Sequence, residues 1–199
     1  MRKRSMSVIA ALAAAITLAT AAPAAAAPLE TGPWTAYSPS YNVQQVGCGV
    51  ASGLNFRLTC STASGEQRAE RRYVTYSTGV RQFEGYFRIN SMPGSRISLK
   101  QTFGPSGPFF MLAVERGGRL YAVEGGATLA TGATVGTTVR VNTVHNTNNG
   151  AHRVYINGSN RQSITGARGG YYDKFGSYRT ASGAGPIDVT WSAVSFWQK

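Results

Sequence analysis

The sequence predicts an all-β domain of the size of a jelly roll. No long stretch repeats apolar residues at helical spacing, whereas β-branched and aromatic residues fall in short runs between glycine-rich turns. About a dozen of these runs follow one another without a linker or an internal repeat. That strand number is typical of two antiparallel sheets packed on one core.

The first 26 residues have the three regions of a cleavable export signal. Arg2-Lys3-Arg4 is a basic segment, Val8 to Ala22 is an apolar run, and Ala24 to Ala27 supplies the small residues of a cleavage site. Cleavage after Ala26 avoids placing Pro28 directly behind the cut. The apolar run of about 15 residues is shorter than the ~20 that a spanning helix needs. We therefore expect a secreted, extracellular protein without a membrane segment.

Residues 27–199 are expected to form a single domain. In chain order, the expected strands are Tyr41 to Cys48, Leu54 to Ser61, Arg68 to Tyr76, Arg81 to Ile89, Arg96 to Phe103, Phe109 to Glu115, Leu120 to Glu124, Val135 to Asn146, His152 to Asn157, Tyr171 to Thr180 and Ile187 to Trp197. The first two are expected to pair as a hairpin, and so are the eighth and ninth, around an Asn-rich turn. A shift of period near Ser192 predicts a β-bulge in the last strand.

Cys48 and Cys60 are the only cysteines. In an exported protein the simplest expectation is a disulfide between them, which closes a short loop around Gly53. A catalytic cysteine and a structural zinc site of the usual kind are not expected.

The charge balance predicts a polyanionic partner. Removing the signal lowers the formal charge from +12 to +9, with eight acidic residues against seventeen basic ones. Acidic polysaccharide, nucleic acid and anionic cell-wall polymer all suit such a surface, so charge alone does not choose among them.

Residues 171–180 carry the strongest functional signal. At strand spacing, one face is formed by Tyr172, Lys174, Gly176, Tyr178 and Thr180. Phe175 lies on the other face, so if it points into the core, the first face lines a groove. Gly176 would then leave room for a polymer near the backbone.

This stretch resembles the strand motif YFKAGVYNQ of the family 7 polysaccharide lyases, which cleave polyuronates such as alginate. Tyr172, Lys174, Gly176 and Tyr178 match the Tyr, Lys, Gly and second Tyr of that motif, whereas Arg179 and Thr180 replace its final Asn and Gln. The resemblance implies a concanavalin-like β-jelly roll of two antiparallel sheets, whose concave face forms a groove for a sugar polymer. It extends to other jelly-roll lyases, such as the family 20 glucuronan lyases.

Two further motifs of that family occur in the right order. The segment from Arg68 to Arg72 is similar to the RSELR signature and places Arg68, Glu70 and Arg72 on one strand face. Gln101 stands in the Gln position of the Q-I-H motif, but Phe103 stands in the His position. That His is held to take part in proton abstraction in the family, so its replacement leaves the base open.

At strand spacing, Gln101 falls on the same face as the apolar Ile97 and Leu99. A Gln101 that faces the groove therefore requires a bulge or a partly apolar groove floor.

Elimination at a uronate requires stabilisation of charge on the C6 carboxylate, removal of the C5 proton and protonation of the departing O4. Arg68 or Arg72, with Gln101, are the candidates for the carboxylate. Tyr178 is the candidate acid and also a candidate base. Since a tyrosine with the usual pKa of about 10 is a poor base at neutral pH, Tyr178 is expected near Arg68 or Arg72. His145 is a further candidate base if its hairpin edges the groove.

Lys174, Glu70, Tyr172, Arg81 and Arg179 are the expected substrate-binding residues. Neither a metal nor another cofactor is expected. The partner is an anionic polysaccharide rather than nucleic acid, and we expect a monomer. Which uronate polymer is bound does not follow from the sequence.

Two alternatives stay open. Phe103 favours a non-catalytic carbohydrate-binding protein that kept the groove and lost the base. A secreted basic ribonuclease would need acid and base partners such as His145 and Glu70 around a phosphate site.

Overall fold

A computed structural model of the protein describes residues 27–62, 64–166 and 169–199. The predicted signal segment lies outside the described residues. No helix within the described ranges is long and apolar enough to cross a membrane.

The described residues are built from strands joined by turns. The strands are β1 Thr35–Tyr37, β2 Tyr41–Val46, β3 Gly49–Ser52, β4 Asn55–Leu58, β5 Arg68–Tyr73, β6 Val80–Ser91, β7 Arg96–Gly104, β8 Gly107–Glu115, β9 Leu120–Ala122, β10 Thr128–Ala130, β11 Thr138–Asn146, β12 Ala151–Ile156, β13 Ser159–Thr165, β14 Tyr172–Tyr178 and β15 Ile187–Gln198.

These strands form two antiparallel sheets. One has the order β13-β12-β11-β6-β15-β4-β3, with β1 added to β15, and the other has the order β10-β9-β8-β7-β14-β5-β2. We call the second the seven-stranded sheet. Strands that are distant in sequence lie side by side in it, so that β14 pairs with both β5 and β7. The predicted fold class, a jelly roll of two antiparallel sheets, is confirmed.

Phe175 of β14 lies at the centre of the core between the sheets. Its ring centroid is 5.6 Å from that of Phe56, 5.6 Å from that of Phe83 and 5.0 Å from that of Trp191. All four side chains are at most 1% exposed. Because neighbouring residues of a strand point to opposite faces, burial of Phe175 turns Lys174 to the outer face of the seven-stranded sheet.

The first predicted hairpin is wrong. Instead of pairing with the segment that follows Leu54, strand β2 lies at the edge of the seven-stranded sheet beside β5. β4 pairs instead with β3, a short strand between β2 and β4 that was not predicted from the sequence. The predicted disulfide is confirmed, with Sγ of Cys48 bonded to Sγ of Cys60 next to this hairpin.

The later predictions agree better with the structure. β11 and β12 pair as the predicted hairpin, and β15 is irregular between Ser192 and Ser195, where Ala193 has a φ of +47°. This is the predicted bulge.

Candidate active site

The three sequence motifs meet on the outer face of the seven-stranded sheet, on the adjacent strands β5, β14 and β7. Tyr178 lies directly opposite Arg68, and Lys174 lies opposite both Arg72 and Gln101. We call this surface the groove face; its residues are Arg68, Glu70, Arg72, Gln101, Phe103, Tyr172, Lys174, Gly176 and Tyr178. The expected approach of Tyr178 to Arg68 is thus present.

A bulge in β7 turns Gln101 to the groove face. Ser98 pairs with Ala113 and Lys100 pairs with Leu112, so Leu99 is an extra residue on β7. Ile97 and Leu99 therefore both stay in the core, although Gln101 has the same parity. This is the bulge that the apolar neighbours of Gln101 required.

Three residues of the groove face form a buried layer. Glu70 and Gln101 are 1% exposed and Lys174 is 3% exposed. Gln101 Nε2 donates to Glu70 Oε1, and Lys174 Nζ lies 3.5 Å from Glu70 Oε2. Burial raises the pKa of Glu70 and lowers that of Lys174, while the attraction between the two opposes both shifts.

Glu70 was predicted to bind substrate, but its buried carboxylate contacts Gln101 and Lys174 instead. Arg68 Nε also lies 3.9 Å from Glu70 Oε2. Gln101 and Lys174, predicted to contact the substrate, are as deeply buried as Glu70.

Arg68 and Tyr178 form the accessible end of the groove face. The carbon Cζ of Arg68 lies 5.0 Å from the centroid of the Tyr178 ring, and Tyr178 is partly exposed. The Arg68 side chain is 15% exposed and also contacts the carboxylate of Glu66, which is 51% exposed. Glu66 is exposed to solvent, which weakens the pair, so an incoming carboxylate can compete with Glu66 for Arg68.

The other end of the groove face is a stack of side chains. The rings of Phe103 and Tyr172 are parallel within 8° at a centroid distance of 5.1 Å. On the opposite side, Arg72 Cζ lies 4.0 Å from the Tyr172 centroid. Both faces of Tyr172 are occupied, so it offers a substrate only its edge and its hydroxyl. Phe103 fills the position that would hold the family's histidine.

Gly176 is needed for the sheet itself. It has a φ of +144°, and a Cβ there would lie 2.2 Å from the carbonyl oxygen of Ala69. It lies in a bulge, since β14 advances three residues between Phe175 and Tyr178 while β7 advances two. Close approach of β5, not space for a polymer, explains the glycine.

Arg81 and Arg179, both predicted to bind substrate, lie away from the groove face. Arg81 is on β6 of the other sheet, with its guanidinium 5.6 Å from the ring centroid of Tyr37. Arg179 donates to the carbonyl oxygens of Gly65 and Gly183 and so joins two turns. These predictions failed because strand parity does not reveal which sheet a strand enters or how a segment ends.

His145 was a candidate base only if its hairpin edged the groove, and the structure does not meet that condition. His145 lies on β11 of the other sheet, points between the sheets and is 2% exposed. Its Nδ1 lies 3.1 Å from the hydroxyl of Tyr76. Burial lowers the pKa of His145 to about 4. His145 and Glu70 therefore cannot form the pair that a ribonuclease would need.

A buried polar cluster between the sheets was not foreseen. Lys100 Nζ donates to the carboxylate of Asp173, and Thr102 Oγ1 lies 3.0 Å from Asp173 Oδ1 and 3.2 Å from His152 Nε2. Lys100, Thr102 and His152 are all fully buried. Strand alternation puts Asp173 on the same face as Phe175 and Lys100 on the same face as Thr102. The inward direction of Asp173 could therefore have been predicted from that of Phe175.

No protein-family model matches the chain, and no curated protein matches it in sequence. Solved structures do match its fold. Alginate lyase PA1167 from Pseudomonas aeruginosa has a TM-score of 0.58 at 18% identity, covering 82% of this chain and 88% of that one. The marine PL7 alginate lyase AlyA1 from Zobellia galactanivorans has a TM-score of 0.58 at 16% identity, covering 78% and 82%.

A third match is the family 7 alginate lyase A1-II' in complex with the substrate GGMG. Its TM-score is 0.56 at 18% identity, covering 73% of this chain and 77% of that one. The chain therefore has the fold of the family 7 alginate lyases, and the predicted resemblance is confirmed at that level.

Proposed function

We propose that the protein is a polysaccharide lyase that cleaves an anionic polyuronate by β-elimination. The observation that carries this proposal is the partly exposed phenol of Tyr178 beside the guanidinium of Arg68, on the face where three lyase motifs meet. The matching solved structures are alginate lyases, which supports the same class of chemistry.

Arg68 binds the C6 carboxylate of the reacting sugar. Charge builds on this carboxylate as the C5 proton leaves, and a guanidinium can meet it with two parallel hydrogen bonds. Binding replaces the exposed contact between Arg68 and Glu66. Arg72 is four residues further along β5, about 13 Å away, so it meets the carboxylate of a neighbouring sugar.

Tyr178 serves as both base and acid. As a phenolate, it takes the proton from C5; the C4–C5 double bond forms, and the bond from C4 to O4 breaks. The phenol then gives its proton to the departing O4, so the tyrosine ends in its starting state. Arg68 places a positive charge beside the Tyr178 ring, with its Cζ 5.0 Å from the ring centroid.

A second candidate function is non-catalytic binding of the same polymer. It is favoured by Phe103, whose stack with Tyr172 fills the position of the missing histidine, and by the enclosure of Gln101. The two functions share the cationic groove face and differ in whether a bond is cleaved.

We further propose that the protein is exported. The basic, apolar and small-residue segments of residues 1–26 support cleavage after Ala26. Sequencing the N-terminus of the protein recovered from culture medium tests this, and a start at Ala27 is expected.

The function is tested by incubating the purified protein with glucuronan, mannuronate-rich alginate and guluronate-rich alginate. Elimination leaves an unsaturated uronate that absorbs ultraviolet light, so a lyase raises the absorbance on at least one polymer. Retained binding without any rise in absorbance would refute catalysis and support the second candidate.

A further inference from the structure

A cleft at the open edge of the sandwich lies apart from the groove face. It has a volume of about 570 Å³ and is bounded by β1 and β15 of one sheet and by β2 and β5 of the other. Its lining includes Tyr37, Tyr41, Arg71, Tyr73 and Phe196. This volume and this mixture of aromatic and polar groups are typical of sites for small ligands.

Arg71 supplies the positive charge of the cleft. It precedes Arg72 on β5 and therefore points to the opposite face of the sheet. Its Cζ lies 4.3 Å from the ring centroid of Tyr41, and its Nη2 donates to the carbonyl oxygen of Gly53 at 2.9 Å. Nε of Arg71 has no hydrogen-bond partner in the described part of the chain, and no acidic residue lines the cleft.

These features match a uronate. The guanidinium of Arg71 offers hydrogen bonds to a carboxylate, and the ring of Tyr41, which is 44% exposed, offers an apolar surface to a pyranose. Among the described residues that line the cleft, Arg71 is the only charged one.

A second depression lies between the cleft and the groove face. It has a volume of about 80 Å³, shares Tyr41 and Tyr73 with the cleft, and is lined in addition by Asn42 and Arg72. A polymer that passes Arg72 therefore approaches the cleft at the start of β2.

We propose that the cleft is an accessory binding site for a uronate residue of an anionic polysaccharide. The ligand class rests on the proposed function of the groove face, whereas the site itself rests on Arg71 and the aromatic lining. Arg71 and Arg72, adjacent in sequence and on opposite faces of β5, serve the cleft and the groove respectively.

Arg71 reports on the cleft and Arg72 on the groove face, and the two can be followed in one experiment. We would follow the Nε–H signals of Arg71 and Arg72 by NMR in the Tyr178→Phe protein, which cannot consume the probe. The probes are saturated hexamers of mannuronate and of glucuronate, with neutral cellohexaose as the control. Both signals are expected to shift with at least one anionic hexamer and not with cellohexaose.

Arg71→Gln should weaken binding at the cleft about tenfold or more, the loss typical of a hydrogen bond between charged groups. Amide signals around Tyr41 report this loss, and the Arg72 signal should titrate within about twofold of its previous midpoint. Arg71→Lys keeps the charge, so its affinity at the cleft should lie between those of the parent protein and of Arg71→Gln. Thermal unfolding shows whether each variant is folded.

The outcomes separate the two proposals. A shift of Arg72 with a stationary Arg71 would overturn the accessory site and leave the groove intact. An equal response of Arg71 to cellohexaose would overturn the anionic ligand class. If neither signal moves with either anionic hexamer, both the accessory site and the uronate specificity of the groove are refuted.

Discussion

Placing a histidine at Phe103 should leave lyase activity almost unchanged. Phe103 stands where the family resemblance implies a histidine, but it lies opposite Tyr172, six residues along β14 from Tyr178. Six strand residues span about 20 Å, whereas the C5 proton and O4 are carried by neighbouring carbons of one sugar. A positioned general base contributes roughly 10²–10⁴-fold to the rate, but only when it reaches the proton that it removes. We therefore expect kcat/KM of Phe103→His to stay within a few-fold of the wild type.

The substitution has a modest cost in stability. It removes the aromatic stack with Tyr172 and the contact with Lys174 Nζ, which lies 4.9 Å from the Phe103 centroid. Stacked aromatic pairs contribute about 0.5–1.5 kcal/mol, which corresponds to a fall in Tm of a few degrees. Differential scanning calorimetry measures this change.

The assay is the initial rate of ultraviolet absorbance on the polymer that the wild type prefers, with Phe103→Leu as the control that removes the ring without adding a base. Both variants should fold, bind the polymer and keep similar rates. A rate for Phe103→His about 10² above that of Phe103→Leu would refute the placement of the reacting sugar beside Arg68 and Tyr178.

Three further predictions concern the Glu66 contact, the bulge at Gly176 and the two buried histidines. Glu66→Gln removes the carboxylate that contacts Arg68, so KM for polyuronate should fall severalfold; an unchanged KM would show that this pair does not compete with substrate. Gly176→Ala forces a side chain against β5 at a φ of +144° and should lower the free energy of unfolding by about 1–3 kcal/mol in urea titrations; an unchanged midpoint would contradict the bulge. Burial lowers the pKa of His145 from 6.5 to about 4 and that of His152 well below 6.5, so the unfolded chain binds more protons in this window. Stability should therefore fall from pH 6.5 towards pH 4 by up to about 1.4 kcal/mol per pH unit per histidine, and His145→Gln should flatten the slope.

Strand alternation and the motifs predicted which residues lie on the groove face. The pattern around Phe175 placed Lys174 and Tyr178 outward, and three motifs in order predicted that Arg68 and Gln101 would join them. Apolar neighbours of Gln101 even required the bulge that β7 contains.

Strand alternation did not predict how deeply a side chain is buried or which sheet its strand joins. Glu70 and Lys174 share a face with Arg68, yet they are buried, because burial depends on side chains contributed by three adjacent strands. The histidine hairpin was predicted correctly as a hairpin, but nothing local shows that His145 points between the sheets. The accessory cleft depends on β1 and β15, distant segments that only the folded chain brings together.

The role of Tyr178 in proton transfer is tested by comparing Tyr178→Phe with Tyr172→Phe, two changes that each remove one hydroxyl from the same face of β14. Both proteins should fold and bind the polymer like the wild type. We predict that Tyr178→Phe abolishes the ultraviolet signal, while Tyr172→Phe keeps activity within a few-fold of the wild type. Undiminished activity in Tyr178→Phe would show that the phenol of Tyr178 does not move the protons.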